Sequence, residues 1–346
     1  MPQATIRHSF GPVPSRRLGR SLGINNIPAK VCPYACVYCQ AGPTTRMETV
    51  PQSFYTPQDL FCDVEERLAR ARAQSEPVDY LAFVPDGEPT LDKNLGAMIA
   101  HLEALGVPVG VITNGSLLWR EDVRNELSRA RWVSLKVDAT REVSWRRINR
   151  PCRALELPQI LDGVLAFARA YHGELMTETM LVAGINDRPE DLMATAEFLR
   201  LVRPHTAYLS VPTRPPALRG VVPPDERVLN QAYHLFRKRV NRVEYLLGYE
   251  GNSFASTSDV ADDILSITAV HPMREDAVMA LLSRTGNSGV IVDHLVTAGA
   301  LTVTEYEHHR FYLRAFPRKG REMPGPGGRA DTPSTAGSKR PKSKNQ

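Results

Sequence analysis

Val31-Cys32-Pro33-Tyr34-Ala35-Cys36-Val37-Tyr38-Cys39-Gln40 places three of the chain's five cysteines within eight residues, at the spacing C-x-x-x-C-x-x-C. Thiolates this close in sequence can converge on one soft metal centre, because cysteine sulfur is the ligand that iron–sulfur clusters and zinc select. The number of ligands says more than the spacing. A structural zinc or a closed [4Fe–4S] site takes four protein ligands, whereas three leave one metal position open to bind and react. A zinc knuckle with a fourth ligand elsewhere, or unpaired core thiols, are the plainer readings. Cys62 and Cys152 are too few to supply the thiolates of a second cluster, so one centre is expected.

Working outward, residues 9–26 begin as a Pro/Gly-rich lead-in and finish as a short strand at 21–25, which puts the cysteines on the loop after a strand. A rhythm follows. Helices are expected over 56–72, 91–105, 117–130, 156–171, 188–201 and 224–240, with Thr56 as an N-cap and Pro57 in the first turn. Apolar strands are expected over 79–84, 107–112, 132–137, 174–182 and 206–211, with a further one at 243–247. This alternation means βα units on a parallel sheet. About six units fit, too few for a closed eight-unit barrel, so the fold class is α/β, a partial (β/α)6 TIM-like barrel. After Gly251 the pattern changes to helices at 259–270, 274–284 and 288–298, then alternating segments at 301–306 and 310–315, the order of a winged helix. The expected domains are a core at 1–250 with the cluster loop at 31–40, a winged-helix-like module at 251–317, and a disordered basic tail at 318–346.

Charge narrows the classes of partner. The chain carries 43 basic and 38 acidic side chains, but its last 29 residues hold eight and two of these, leaving 35 against 36 in the body. The folded part is therefore neutral, and the basic balance is no argument for nucleic acid. No 18-residue apolar run is present and the first residues lack an apolar core, so neither a membrane span nor a secretory signal is expected. Clustered cysteines in odd number suit metal binding in a reducing cytoplasm.

Polar, turn-forming clusters end five strands in succession, where a barrel mouth would place them. They are Asp86-Gly87-Glu88-Pro89-Thr90, Thr113-Asn114-Gly115-Ser116, Ser134 with Lys136 and Asp138, Glu178 running into Gly184-Ile185-Asn186-Asp187, and Ser210 with Pro212-Thr213-Arg214-Pro215-Pro216. Glu88 also reads as a helix cap, Asn114-Gly115 as a turn, and Glu178 with Arg214 as a structural pair. Arg16, Arg17 and Arg20 form either a surface patch or a brace for the cysteine loop.

With Gly87-Glu88 after the second strand and Tyr38 one residue before the last cysteine, the chain resembles the radical S-adenosylmethionine superfamily. Gly11-Pro12-Val13-Pro14-Ser15-Arg16-Arg17-Leu18-Gly19, Ile148-Asn149-Arg150-Pro151 and Arg214-Pro215-Pro216 resemble one branch of it, the iron–sulfur oxidoreductases grouped with wyosine-type tRNA-modifying enzymes. The resemblance implies that Cys32, Cys36 and Cys39 hold one [4Fe–4S] cluster, whose fourth iron chelates S-adenosylmethionine. It implies that Gly87 and Glu88 contact the cofactor's amine, although the usual Gly-Gly-Glu has Asp86 at its first position here. Asn114, Lys136, Asp138, Glu178 and Arg214 become candidate cofactor contacts, and Ile185 and its neighbours lie near the adenine. One-electron reduction by a flavodoxin- or ferredoxin-like donor would then cleave the cofactor to a 5′-deoxyadenosyl radical that abstracts hydrogen from substrate. The same resemblance leaves room for a tRNA-modifying enzyme or a glycyl-radical-enzyme activase. Outside enzymology stands an iron–sulfur redox sensor whose C-terminal module binds nucleic acid. Residues 288–298, the recognition helix of such a module, contain no Lys or Arg and one Asp. That favours a protein partner or substrate docking over a groove reader.

Overall fold

The computed structural model describes residues 8–248, 251, 252, 254 and 259–315. A hairpin of β1 (Ser9–Ser15) and β2 (Gly19–Ile24) comes first, and the short strands β3 (Val31–Cys32) and β4 (Arg46–Met47) frame the cysteine loop. Helices and strands then alternate as α1 (Pro57–Ala73), β5 (Tyr80–Phe83), α2 (Leu95–Glu103), β6 (Val109–Thr113), α3 (Glu121–Leu127) and β7 (Trp132–Lys136). α4 (Glu142–Ile148) and α5 (Leu157–Ala170) lead into β8 (Glu174–Met180), α6 (Pro189–Val202), β9 (Thr206–Ser210), α7 (Glu226–Arg237) and β10 (Val243–Leu246). One sheet runs β1-β2-β5-β6-β7-β8-β9-β10, with only β1 antiparallel to its neighbour.

Apolar faces account for this arrangement. Leu81, Phe83, Val109, Val111, Val133 and Leu135 pack against the helices, while Leu18, Ala82, Trp132, Met176, Tyr208 and Leu246 fill the other face near its base. Strands covered on both faces read as near-continuous apolar runs, which is why they were legible. Thr56 accepts the Asp59 N–H at 3.1 Å and Pro57 opens α1, as its sequence requires.

Several expectations change. The 91–105 helix is a single 3-10 turn, Pro89–Leu91, followed by α2, because Glu88 caps the turn and Asp92 accepts the Asn94 N–H at 2.9 Å. The 117–130 helix shrinks to α3, since residues 114–120 are spent on a turn in which Asn114 accepts the Ser116 N–H at 2.9 Å. Strand β1 and helix α4 were not expected. In β1 the pairing register breaks between Phe10 and Val13, where Pro12 has no N–H for the ladder, so its sequence reads as a lead-in rather than a strand. α4 has seven residues, too short to show a period.

The C-terminal elements are α8 (Val260–Val270), β11 (Met273–Arg274), α9 (Glu275–Arg284), α10 (Val290–Thr297), β12 (Leu301–Tyr306) and β13 (His309–Arg314), with sheet order β11-β13-β12. Their core includes Ile264, Ile267, Met273, Val278 and Leu281, and it is completed by Phe10 and Val13 of β1. Arg67 of α1, fully buried, meets Asp263 of α8 at 3.0 Å. The tail at 318–346 lies outside the described residues, and no described helix is long and apolar enough to cross a membrane.

Asp92 carries a prediction. It is buried beside Asn26, and burial raises its carboxyl to about 7 against hydrogen bonds from Asn94 and Asn26. Because the folded state then binds the proton more tightly, this group costs stability as pH rises from about 4 towards 7. An amide at 92 keeps an oxygen for the Asn94 N–H while removing the ionisable group from this buried position. Asp92→Asn is expected to stabilise the protein by a few kcal/mol at about pH 8 and by little at about pH 4. Urea titrations of both proteins at the two pH values check this, and a pH-independent difference would refute it.

Candidate active site

The cysteine loop is held from both sides. On one side Asp86-Gly87-Glu88, leaving β5, lies along Lys30-Val31. Lys30 N–H donates to the Asp86 carbonyl at 2.7 Å, and Glu88 N–H to that of Val31 at 3.2 Å. A Cβ on Gly87 would run into the Val31 carbonyl oxygen, so this approach requires glycine. Asp86, in place of the usual glycine, takes the Lys30 ammonium at 2.8 Å and braces the loop. On the other side Ala35 N–H donates to Asn149 O at 3.0 Å, Val37 N–H to Ile148 O at 2.9 Å and Cys152 N–H to Pro33 O at 2.8 Å. Trp145 Nε1 reaches the Tyr34 hydroxyl at 3.0 Å. The segment 148–151 is therefore the cradle of the cysteine loop.

Each thiol receives N–H donors. Cys32 Sγ accepts from Asn114 Nδ2 at 3.3 Å and from Tyr34 N at 3.4 Å, and Cys36 Sγ from Asn149 Nδ2 at 3.4 Å. Cys39 is served by the backbone of Ala41 and Gly42. Burial, and then the Asp138 charge, push the Cys36 thiol up to about 12. Burial raises Cys32 well above the thiol range, with Cys36 and Glu88 adding to it; burial also raises Cys39, against the Lys30 charge. Among the described residues no three Cys, His, Asp or Glu side chains converge tightly enough for a single metal ion. A larger cationic centre suits the arrangement: it would turn the thiols into thiolates, which the N–H donors already favour. The residues fit a cluster.

Glu88 is buried, and burial raises its carboxyl against four hydrogen bonds. Oε1 accepts from Thr90 N at 3.0 Å, Thr90 Oγ1 at 2.6 Å and Thr113 Oγ1 at 2.5 Å, and Oε2 from Asn114 N at 2.8 Å. Glu88 is thus a turn cap as well, yet Oε2 still has acceptor capacity for an amine. Asn114 is likewise both a turn residue and a donor to Cys32.

Lys136, Asp138 and Glu178 form a second group around Tyr38. The Tyr38 hydroxyl donates to Asp138, and Lys136 Nζ lies 4.9 Å from the Tyr38 ring centre. Lys136 Nζ is 3.1 Å from Glu178 and 3.6 Å from Asp138, and these carboxylates raise its pKa although burial opposes them. Burial would raise Glu178, but Lys136, Arg17 and Ser210 hold it far below the carboxylate range. The pairing of Glu178 with Arg214 is not what forms. Arg17 takes that place from the β1–β2 turn, and Arg214 instead donates to Gln40 Oε1 at 2.8 Å and to His271 Nε2 at 2.9 Å.

Tyr38, Cys39, Lys136, Glu178, Arg214 and His271 all line one cavity of about 250 Å³ over the sheet. Gly87, Glu88 and Asn114 do not line this cavity; Asn114 reaches Cys32 and Glu88 reaches Val31. Ile185 is partly buried at the core edge, and its neighbour Asn186 fixes the Asp138 strand end, with Nδ2 to Asp138 O and to Met180 O at 2.8 Å each. A larger groove of about 950 Å³ lies outside, between α6 and α7, and contains none of these groups. Arg17, which read as either a surface patch or a brace for the cysteine loop, pairs with Glu178, and His271, expected as a surface or hairpin residue, lines the cavity; the contact of Asn149 with Cys36 was not singled out. Asn149 lay inside a quoted motif, but nothing in a linear pattern shows that its amide meets a sulfur.

The family model described as the Radical SAM superfamily matches residues 26–199. The UPF0026 protein MJ1312 of Methanocaldococcus jannaschii is 44% identical over 92% of this chain and 99% of its own. A radical SAM methyltransferase from Sphaerobacter thermophilus is similar in fold, at 18% identity and a TM-score of 0.50 over 66% of this chain and 67% of that one. Archaeal TYW1 gives 16% identity and a TM-score of 0.45 over 64% and 72%.

Proposed function

Because this chain belongs to the radical SAM superfamily and to its UPF0026 members, we propose that it is a cytoplasmic enzyme that abstracts hydrogen from its substrate by cleaving S-adenosylmethionine. The superfamily's cofactors are one [4Fe–4S] cluster and S-adenosylmethionine, and they are this chain's cofactors. The observation that carries the reading is the joint geometry of three N–H-bonded cysteines and a buried Glu88 reached from Thr90, Thr113 and Asn114.

In this reading Cys32, Cys36 and Cys39 hold three irons. When bound and reduced by one electron, the pair of cofactors supplies a 5′-deoxyadenosyl radical. The chain's residues do the rest. Glu88 Oε2 and the backbone of Gly87 receive the methionyl amine, while Asn114 and Asn149 keep Cys32 and Cys36 in place. Lys136, Asp138 and Glu178 anchor the polar parts of the nucleoside and fix the Tyr38 ring. Arg17 neutralises Glu178 from below, and Arg214 holds Gln40 at the end of the cysteine loop. Burial of this set keeps water from the reacting atoms. A flavodoxin- or ferredoxin-like protein delivers the electron. The order α8-β11-α9-α10-β12-β13, with sheet β11-β13-β12, supports a winged-helix reading of the C-terminal elements. The exposed faces of α10, without Lys or Arg, suit a protein contact better than a nucleic acid.

Anaerobic reduction of the reconstituted protein with S-adenosylmethionine should release 5′-deoxyadenosine and methionine in equal amounts. A protein that carries the cluster yet forms neither would be a redox sensor rather than an enzyme.

A further inference from the structure

The Asn149 amide lies between a carboxylate and a cysteine sulfur, and from this we infer that it sets how readily the cluster on Cys32, Cys36 and Cys39 is reduced. The inference rests on the radical-enzyme reading above and adds a residue that regulates its first, one-electron step. Asn149 Nδ2 lies 2.8 Å from Asp138 Oδ2 and 3.4 Å from Cys36 Sγ. An amide nitrogen carries two protons, and a carboxylate only accepts. Asp138 therefore takes one proton, keeps the amide oxygen turned away, and leaves the second proton for the sulfur. The Tyr38 hydroxyl has a single proton and gives it to the same carboxylate. Asn149 is thus the side chain that brings an N–H to Cys36.

Reduction takes one electron from the donor and adds one negative charge to the centre, with no protein bond formed or broken. The surroundings oppose that charge. Asn149 and Asp138 are buried, and burial, followed by the Asp138 charge, already pushes the Cys36 thiol up. Hydrogen bonds to cluster sulfurs are one of the levers a protein has on reduction potential. An N–H on Cys36 stabilises the more negative, reduced form more than the oxidised one, and so raises the potential. Asn149 acts through Cys36 and is a positioning residue. Its main chain has a separate task, since Ala35 N–H donates to Asn149 O at 3.0 Å and Val37 N–H to Ile148 O at 2.9 Å. A change of side chain leaves both backbone bonds available, so the effect on potential separates from the hold on the loop.

The test uses the full-length, reconstituted protein without S-adenosylmethionine, and follows the reduced cluster by electron paramagnetic resonance during a potential titration with dithionite. Asn149→Leu should move the midpoint to lower potential. At the parent's midpoint its ratio of reduced to oxidised cluster should fall by roughly three- to tenfold, tenfold being about 59 mV for a one-electron couple. Asn149→Ser, whose hydroxyl stops one bond short of the amide nitrogen, should move the same way. Val143→Ser, on the exposed side of α4, should titrate as the parent does. Iron and sulfide analysis confirms loading at about four irons per chain before each titration. An unchanged or raised midpoint in a loaded Asn149 variant would overturn the inference, and so would an equal shift in Val143→Ser. Failure of both Asn149 variants to load would overturn it as well, because the amide would then serve assembly rather than potential. A parent that loads no cluster would instead count against the radical-enzyme reading itself.

Discussion

Cys36→Ala is expected to leave the reconstituted protein without its cluster and without 5′-deoxyadenosine formation, whereas Cys62→Ala and Cys152→Ala should load about four irons per chain as the parent does. The asymmetry follows from surroundings rather than from residue type. Cys36 lies in the cradle formed by Ile148 and Asn149, with an amide N–H on its sulfur and the Asp138 charge nearby. Cys62 is exposed on α1, where its sulfur accepts from Gln58 Nε2 at 3.3 Å. Losing one of three thiolates leaves two irons' worth of anchoring on a loop that has no other soft ligand, and a second iron position would open to solvent. Iron and sulfide analysis together with product quantification checks the outcome. Full iron content in Cys36→Ala would mean that the three cysteines are not the ligand set.

The second large effect is on stability. Arg67→Ala should destabilise the fold by about 3–5 kcal/mol, because it removes the buried guanidinium that faces the buried Asp263 carboxylate at 3.0 Å. Arg67 also donates to Ser9 Oγ at 3.2 Å and to Gly11 O at 3.4 Å, so one guanidinium joins α1, β1 and α8. Arg67→Met with Asp263→Leu should recover much of the loss, since replacing both partners by apolar groups removes the desolvation penalty with the charge. Denaturant unfolding of the single and double variants separates the two effects. A single variant within about 0.5 kcal/mol of the parent would show that the pair is not closed to solvent.

The cysteine spacing, Gly87-Glu88 and the strand–helix rhythm were legible in the chain because each is local. Ligands within one eight-residue stretch share one loop whatever the rest does, and a strand buried on both faces betrays itself by an apolar run. Lys136 and Asp138 stood out for the same reason, as charges on a strand otherwise free of them. Asp86 is instructive in the other direction. As a departure from a glycine motif it looked like a weak point, and in space it is a partner for Lys30, 56 residues away.

What only the tertiary structure decided lies between segments far apart in the chain. Arg17 could have been surface or site, and it became the partner of Glu178, 161 residues on, because the β1–β2 turn reaches under β8. The stretch 9–15 looked like a lead-in and is a strand whose Phe10 and Val13 complete the C-terminal core. His271 read as a surface or hairpin residue, yet the end of α8 brings it to Arg214, 57 residues earlier, at the cavity. Local sequence determines which chemistry a chain can hold, since ligand spacing and strand periodicity are properties of neighbours. What closes over that chemistry is set by long-range burial, in which the positions of Phe10, Arg67 and His271 depend on surfaces that no short stretch contains.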